Sequence, residues 1–175
     1  IWIRNSKGEY LIFQRSADRP AYPLMWECVG GSVTKGEDSL TGALRETKEE
    51  VGLTLSPEDG KLVYSVVGRE VNGVKFTDIL DVWLFEYDGP VSLDQATTKE
   101  VAQTAWMTKE QIKELFDTGK LVHTLGYFFT TAGLRISTTE SSIYFLIWMT
   151  HFCEATRQFQ SGHWKHFVNA ENRAS

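Results

Sequence analysis

Little in this sequence would tie a chain together covalently or hold it in a membrane. Only two cysteines occur, Cys28 and Cys153, far apart and without a C-x-x-C pair. That excludes a disulfide framework and a zinc ribbon, and it reads as the reduced thiols of a cytoplasmic protein. Long hydrophobic runs are missing too. The longest, Ile143 to Met149, falls far short of the roughly 20 residues that a membrane-spanning helix needs, so no membrane partner is expected. The chain opens at Ile1 with no signal-peptide pattern, as a processed or trimmed cytoplasmic protein would. Nor is there a basic surplus. Lys and Arg number 18 against 23 Asp and Glu, a net charge of −5 and a pI of about 5.4. No basic field is available to neutralise the phosphates of a nucleic-acid duplex. A small anionic substrate remains compatible, provided that a cation mediates the contact.

What is present is ordinary globular material. The 175 residues are 42% hydrophobic and 23% charged, enough to bury a core without staples. Ile1–Arg4 and Tyr10–Arg15 are β-prone runs around the turn residues Asn5-Ser6-Lys7-Gly8, a predicted hairpin. A polar loop with two prolines follows, then a short strand over Trp26–Val29 ending at Gly30-Gly31. From Ser39 to Val51 the period becomes helical: Leu40, Ala43, Leu44, Thr47 and Val51 share one stripe, and Gly52 is a natural stop. Gly42 in mid-helix costs about 1 kcal/mol against alanine, which points to a close approach. Lys61–Val71 and Val74–Tyr87 form a second predicted hairpin at Asn72-Gly73. Trp106-Met107 is a short last strand, and Thr108 caps a helix over Lys109–Asp117. Together these elements predict an α/β domain with a mixed sheet.

One segment carries chemistry. On a helix, Glu46, Glu49 and Glu50 fall at i, i+3 and i+4, so their carboxylates lie on one face. That face is about a third of a turn from the apolar stripe, so the stripe packs on the sheet while the acids point along its edge. Such an oxygen-only group suits Mg²⁺ or Mn²⁺. By itself an E-x-x-E-E string is more often a solvated acidic face.

The flanks add specificity. The stretch from Gly31 to Leu53 resembles the Nudix box, G-x5-E-x7-R-E-U-x-E-E-x-G-U with U aliphatic. Gly31, Glu37, Arg45, Glu46, Glu49, Glu50, Gly52 and Leu53 match at the required spacing. Thr47 alone departs, standing where an aliphatic residue is usual. The resemblance implies a Nudix-type α/β/α sandwich with a mixed β-sheet over residues 1–129. It also implies a divalent-metal-dependent hydrolase that cleaves a diphosphate, such as a nucleoside diphosphate, linked to another moiety. By the same resemblance Glu46, Glu49 and Glu50 hold Mg²⁺ or Mn²⁺, with the Gly31 carbonyl as a further ligand. Glu37 pairs with Arg45, which orients the acids. The water that attacks phosphorus needs a base, and parts of the family carry it on the loop before the last strand. Glu100 stands there, with Asp94 the alternative on that loop and Glu50 the competitor inside the box.

Other readings stay open. The stretches Ile3-Arg4-Asn5, Leu11–Arg15 and Pro23-Leu24-Met25-Trp26 are similar to the Nudix branch nearest isopentenyl-diphosphate isomerases. Those enzymes need a histidine two residues after a catalytic cysteine, whereas Cys28 is followed by Val29-Gly30. A non-catalytic diphosphate-binding module on the same scaffold is the third reading. For substrate contacts the candidates are Arg15 and Trp26, followed by Arg19, Tyr64 and Phe76. Residues 130–175, with a predicted helix over Ser142–Gln160, form an extension outside the family pattern, and a homodimer is compatible with the sequence.

Overall fold

The computed structural model describes residues 1–130. The extension over 130–175 and its predicted helix over Ser142–Gln160 therefore lie, apart from Thr130, outside the described residues. Among the described residues six strands form one mixed sheet: β1 (Trp2–Arg4), β2 (Tyr10–Arg15), β3 (Trp26–Glu27), β4 (Lys61–Val71), β5 (Val74–Glu86) and β6 (Val101–Met107). The main path runs β3-β2-β1-β5-β4, and β6 pairs with β2. Among the described strands only β1 and β5 pair parallel, and Trp26 adds an isolated parallel bridge to Leu121. Helix α1 (Ser39–Val51) and helix α2 (Lys109–Asp117) complete the layers. No helix among the described residues is long and apolar enough to cross a membrane.

Strand alternation sorts the core into two faces. Trp2, Tyr10, Ile12 and Cys28 pack with Ile112 of α2 and with Leu121, Leu125 and Phe128. Their neighbours Ile3, Leu11, Phe13 and Val29 pack with Val51 and Leu53 at the end of α1. Successive side chains point to opposite faces of a strand, so a sheet covered on both sides needs these unbroken apolar runs. The result is the α/β sandwich expected from the sequence.

Local chemistry sets the element ends. Asn5 Oδ1 accepts the amides of Lys7 and Glu9 at 3.0 and 2.9 Å, which closes the first turn. At the second hairpin Asn72 and Gly73 both have positive φ, 51° and 80°, the backbone of a tight two-residue connection. Asp38 caps α1 by accepting the Thr41 amide at 2.7 Å, and Gly52 ends it in the left-handed region at φ 75°. Thr108 and Gln111 form a reciprocal capping box on α2. Gly42 meets the loop before α1: a Cβ there would lie 3.3 Å from both Glu37 Oε2 and Val33 Cγ2. Thr47 is buried and donates its hydroxyl to the Ala43 carbonyl at 2.8 Å, which lets a polar residue occupy the aliphatic position.

Two strands differ from expectation by more than one residue. β3 stops at Glu27 rather than Val29, because beyond it the chain turns toward α1, where the Gly30 amide donates to Glu50 at 3.2 Å. β6 begins at Val101 rather than Trp106 and pairs with β2 along six registered positions, with a bulge at Gln14/Arg15. Its Gln103 and Thr104 show no apolar alternation, but Gln103 donates to Gln14 across the sheet at 2.7 Å.

Candidate active site

The site lies where the N-terminal loop of α1, the outward face of α1 and the loop before β6 meet. Arg45 organises the first two. Its Nε and Nη2 grip both oxygens of Glu37 at 3.0 and 3.1 Å, the two-pronged geometry that a guanidinium favours. Its Nη1 reaches Glu46 at 2.8 Å and Glu49 at 3.0 Å, and Nη2 also donates to the Ser32 carbonyl at 2.9 Å. Glu37 accepts the Thr34 amide and hydroxyl as well. The Arg45 hydrogen bonds, followed by the Thr34 amide, hold the Glu37 carboxyl down at about 2. Those same bonds to Glu37 and Glu46 raise the arginine further above its usual range.

Gly31 is required by contact rather than by conformation. A Cβ there would sit 2.0 Å from Glu46 Cδ, so only glycine lets that carboxylate lie against the backbone. The loop before β6 is pinned to the other end of α1. The Thr97 and Thr98 amides and the Thr98 hydroxyl all donate to the Glu49 carbonyl, at 3.0 to 3.1 Å. This brings Glu100 to the acidic face of the helix.

Glu50 differs from every other acid here. It is only 4% exposed, and among the described residues the Gly30 amide is its one hydrogen-bond donor. Burial pushes its carboxyl up to about 8, with Glu27, Glu46 and Glu100 adding negative charge around it. Those three neighbours are each held by an arginine: Glu27 by Arg15, Glu46 by Arg45, and Glu100 by Arg19 at 2.6 Å. Among the described residues Glu50 has no basic partner. Glu27 went unnoticed in the sequence, although a lone charge in the apolar run Trp26-Glu27-Cys28-Val29 marked it.

Not every expected contact is present. No three acids among the described residues stand close enough together to hold a cation as they are. Arg45 lies between Glu46 and Glu49, and Glu50 turns back to Gly30. The Arg15 guanidinium is buried against Glu27 and the Ala21 carbonyl, so it is not offered to a substrate. Trp26 is half-buried against the α2-side core, and Tyr64 stacks on Tyr127. Phe76 lies under Arg69 on the β4–β5 hairpin. Asp94 is exposed, and its carboxylate accepts from Ser92. Cys28 is buried, which raises its thiol to about 11 and disfavours the thiolate that nucleophilic chemistry needs.

The donor chemistry, carboxylate oxygen throughout, is the kind a divalent cation takes, although these acids do not stand together as one site. Glu27, Glu46 and Glu100 add negative charge around the buried Glu50, which has no basic partner among the described residues, and Gly31 leaves room for the Glu46 carboxylate against the backbone. Comparison with known proteins identifies the family. The NUDIX domain family model matches residues 1–125. An uncharacterized Nudix hydrolase of Listeria innocua is 32% identical over 130 residues, 74% of this chain and 71% of that protein. Its counterpart in Listeria monocytogenes is 30% identical over the same shares. Among solved structures, a Deinococcus radiodurans protein superposes with a TM-score of 0.55 at 21% identity, covering 70% of this chain and 72% of that one. A MutT protein from Methanosarcina mazei gives 0.53 at 24%, covering 73% and 85%. With its box, its sheet and these relatives in agreement, the chain belongs to the Nudix hydrolases, a family that uses divalent cations, and is a Nudix pyrophosphohydrolase.

Proposed function

We propose that the enzyme hydrolyses a nucleoside diphosphate, or a similar diphosphate, linked to another moiety, with Mg²⁺ or Mn²⁺ bound. One observation carries this reading: among the described residues Glu50 is buried without a counter-charge, while its acidic neighbours Glu27, Glu46 and Glu100 each have an arginine. An uncompensated buried carboxylate is costly unless something positive joins it. Glu46, Glu49 and Glu50 would hold the cation, with the Gly31 carbonyl beside them. When bound, it would neutralise phosphate oxygens and lower the pKa of water.

The chain's own groups supply the rest. Glu100 accepts a proton from the attacking water. The water oxygen bonds to phosphorus as the bridging P–O bond breaks, and the leaving phosphate carries away the electron pair. Arg45 and Glu37 keep Glu46 and Glu49 from splaying apart. The test is a product assay over nucleoside and non-nucleoside diphosphates with Mg²⁺ or Mn²⁺ in ¹⁸O-labelled water. Label in a phosphate product is expected. Binding without turnover would overturn hydrolysis in favour of a binding module. Conversion of isopentenyl diphosphate to its dimethylallyl isomer without phosphate release would overturn it in favour of an isomerase.

A further inference from the structure

Glu100 sits on a loop, and a base must be held to within a fraction of an ångström to take a proton at the right moment. What holds it is the segment between β2 and β3. That segment, residues 16–25, reaches Glu100 at two levels. The Ser16 amide donates to the Glu100 carbonyl at 2.8 Å, and the Arg19 guanidinium grips a Glu100 oxygen at 2.6 Å. We propose that Arg19 is the positioning residue for Glu100, delivered by a preformed loop so that the carboxylate stays turned toward the acidic face of α1. The inference rests on the reading of Glu100 as the base.

Three features of the segment support the proposal. Its backbone is over-determined: the Ala21 carbonyl accepts from Arg15 Nε at 3.0 Å and the Leu24 carbonyl from Gln14 Nε2 at 2.8 Å. It also contains two non-glycine residues in the left-handed region, Tyr22 at φ 52° and Leu24 at φ 62°. Such residues persist only where the surroundings enforce them, and they gather at functional sites. Finally, Arg19 Nε is buried with no hydrogen-bond partner among the described residues. An unmet buried donor is unfavourable, so the loop places this arginine for Glu100 rather than for its own best solvation. A surface ion pair would contribute little to stability, but a clamp on a reacting carboxylate acts on rate.

The experiment is a double-mutant cycle on the diphosphate that the product assay shows is turned over fastest. Arg19→Ala should lower kcat by about 10²-fold and leave KM within about threefold, with most of the rate restored in Arg19→Lys. In the Glu100→Gln background Arg19→Ala should change nothing further. A normal Arg19→Ala beside an impaired Glu100→Gln overturns the clamp while the base reading stands. A normal Glu100→Gln overturns the base reading itself. An Arg19→Ala loss that persists beside Glu100→Gln, or that falls on KM, assigns Arg19 to the substrate and also overturns the proposal. Amide hydrogen exchange supplies a readout that needs no turnover. Exchange at Ser16 and Val101 should quicken in Arg19→Ala while the middle of α1 is unchanged, and equal protection at Ser16 overturns the clamp.

Discussion

Consider Glu50→Gln in protein stripped of divalent cations with EDTA. In the unfolded chain this carboxyl ionises near 4.5, and in the folded site burial and its acidic neighbours move it to about 8. The folded state therefore holds the proton more tightly. Its contribution to stability is fully present below about 4.5, declines as pH rises between the two values, and is lost above about 8. At about 1.4 kcal/mol for each pH unit between them, the ceiling is on the order of 5 kcal/mol. Entry of water and rearrangement of neighbours reduce that to an expected few kcal/mol, about 2–4. Glutamine cannot ionise, and its amide oxygen can still accept from Gly30. Urea denaturation at pH 5 and pH 8.5 should thus give nearly equal stabilities at the lower pH. At the higher pH the variant should be the more stable by those 2–4 kcal/mol. Titrations elsewhere, such as that of Glu37, are common to both proteins and cancel. Mn²⁺ at about 100 times its Kd should then raise wild-type stability at pH 8.5 by about 2.7 kcal/mol, and the variant by much less. A wild type no less stable than Glu50→Gln at pH 8.5 in EDTA would refute the argument that Glu50 is buried without compensation.

Three other substitutions probe the rest of the site. Gly31→Ala forces Glu46 away from its seat 2.0 Å from the new Cβ; because a flexible carboxylate end moves, stability should change by less than about 1 kcal/mol. Calorimetric Mn²⁺ affinity and turnover should nevertheless fall, turnover by about 10²-fold; unchanged values would mean that Glu46 does not work from this position. Arg45→Lys replaces a fork reaching Glu37, Glu46, Glu49 and the Ser32 carbonyl with a single point charge. Turnover and thermal midpoint should both drop, and a variant matching wild type in both would show that one charge suffices. Cys28→Ala should keep turnover near normal while lowering stability by about 1–2 kcal/mol through the small cavity left in the core; loss of activity with the fold intact would revive thiol chemistry.

Much of the fold was legible in the residues because it depends on local rules. Helix α1 spans Ser39–Val51 as the period and the Gly52 stop imply, and both hairpins turn at Asn5–Gly8 and Asn72-Gly73. The Nudix box was readable because all its acids lie on one helix and one loop, where spacing alone dictates proximity. β6 was read too short because Ala102, Gln103 and Thr104 carry no apolar alternation. Its pairing with β2 is a contact between residues about ninety positions apart, which no local pattern records.

The arginines mark the boundary most clearly. In the sequence Arg15 and Arg19 are candidates for a phosphate and Arg45 for Glu37, since a guanidinium suits phosphate as well as carboxylate. The tertiary structure gives Arg15 and Arg19 the acids Glu27 and Glu100, spreads Arg45 over Glu37, Glu46 and Glu49, and leaves Glu50 without a basic partner among the described residues. Spacing along the chain determined which acids share the helix face. Only the meeting of β3, α1 and the loop before β6 decided which of them is buried without a partner, because burial and charge compensation are properties of surroundings assembled from distant segments.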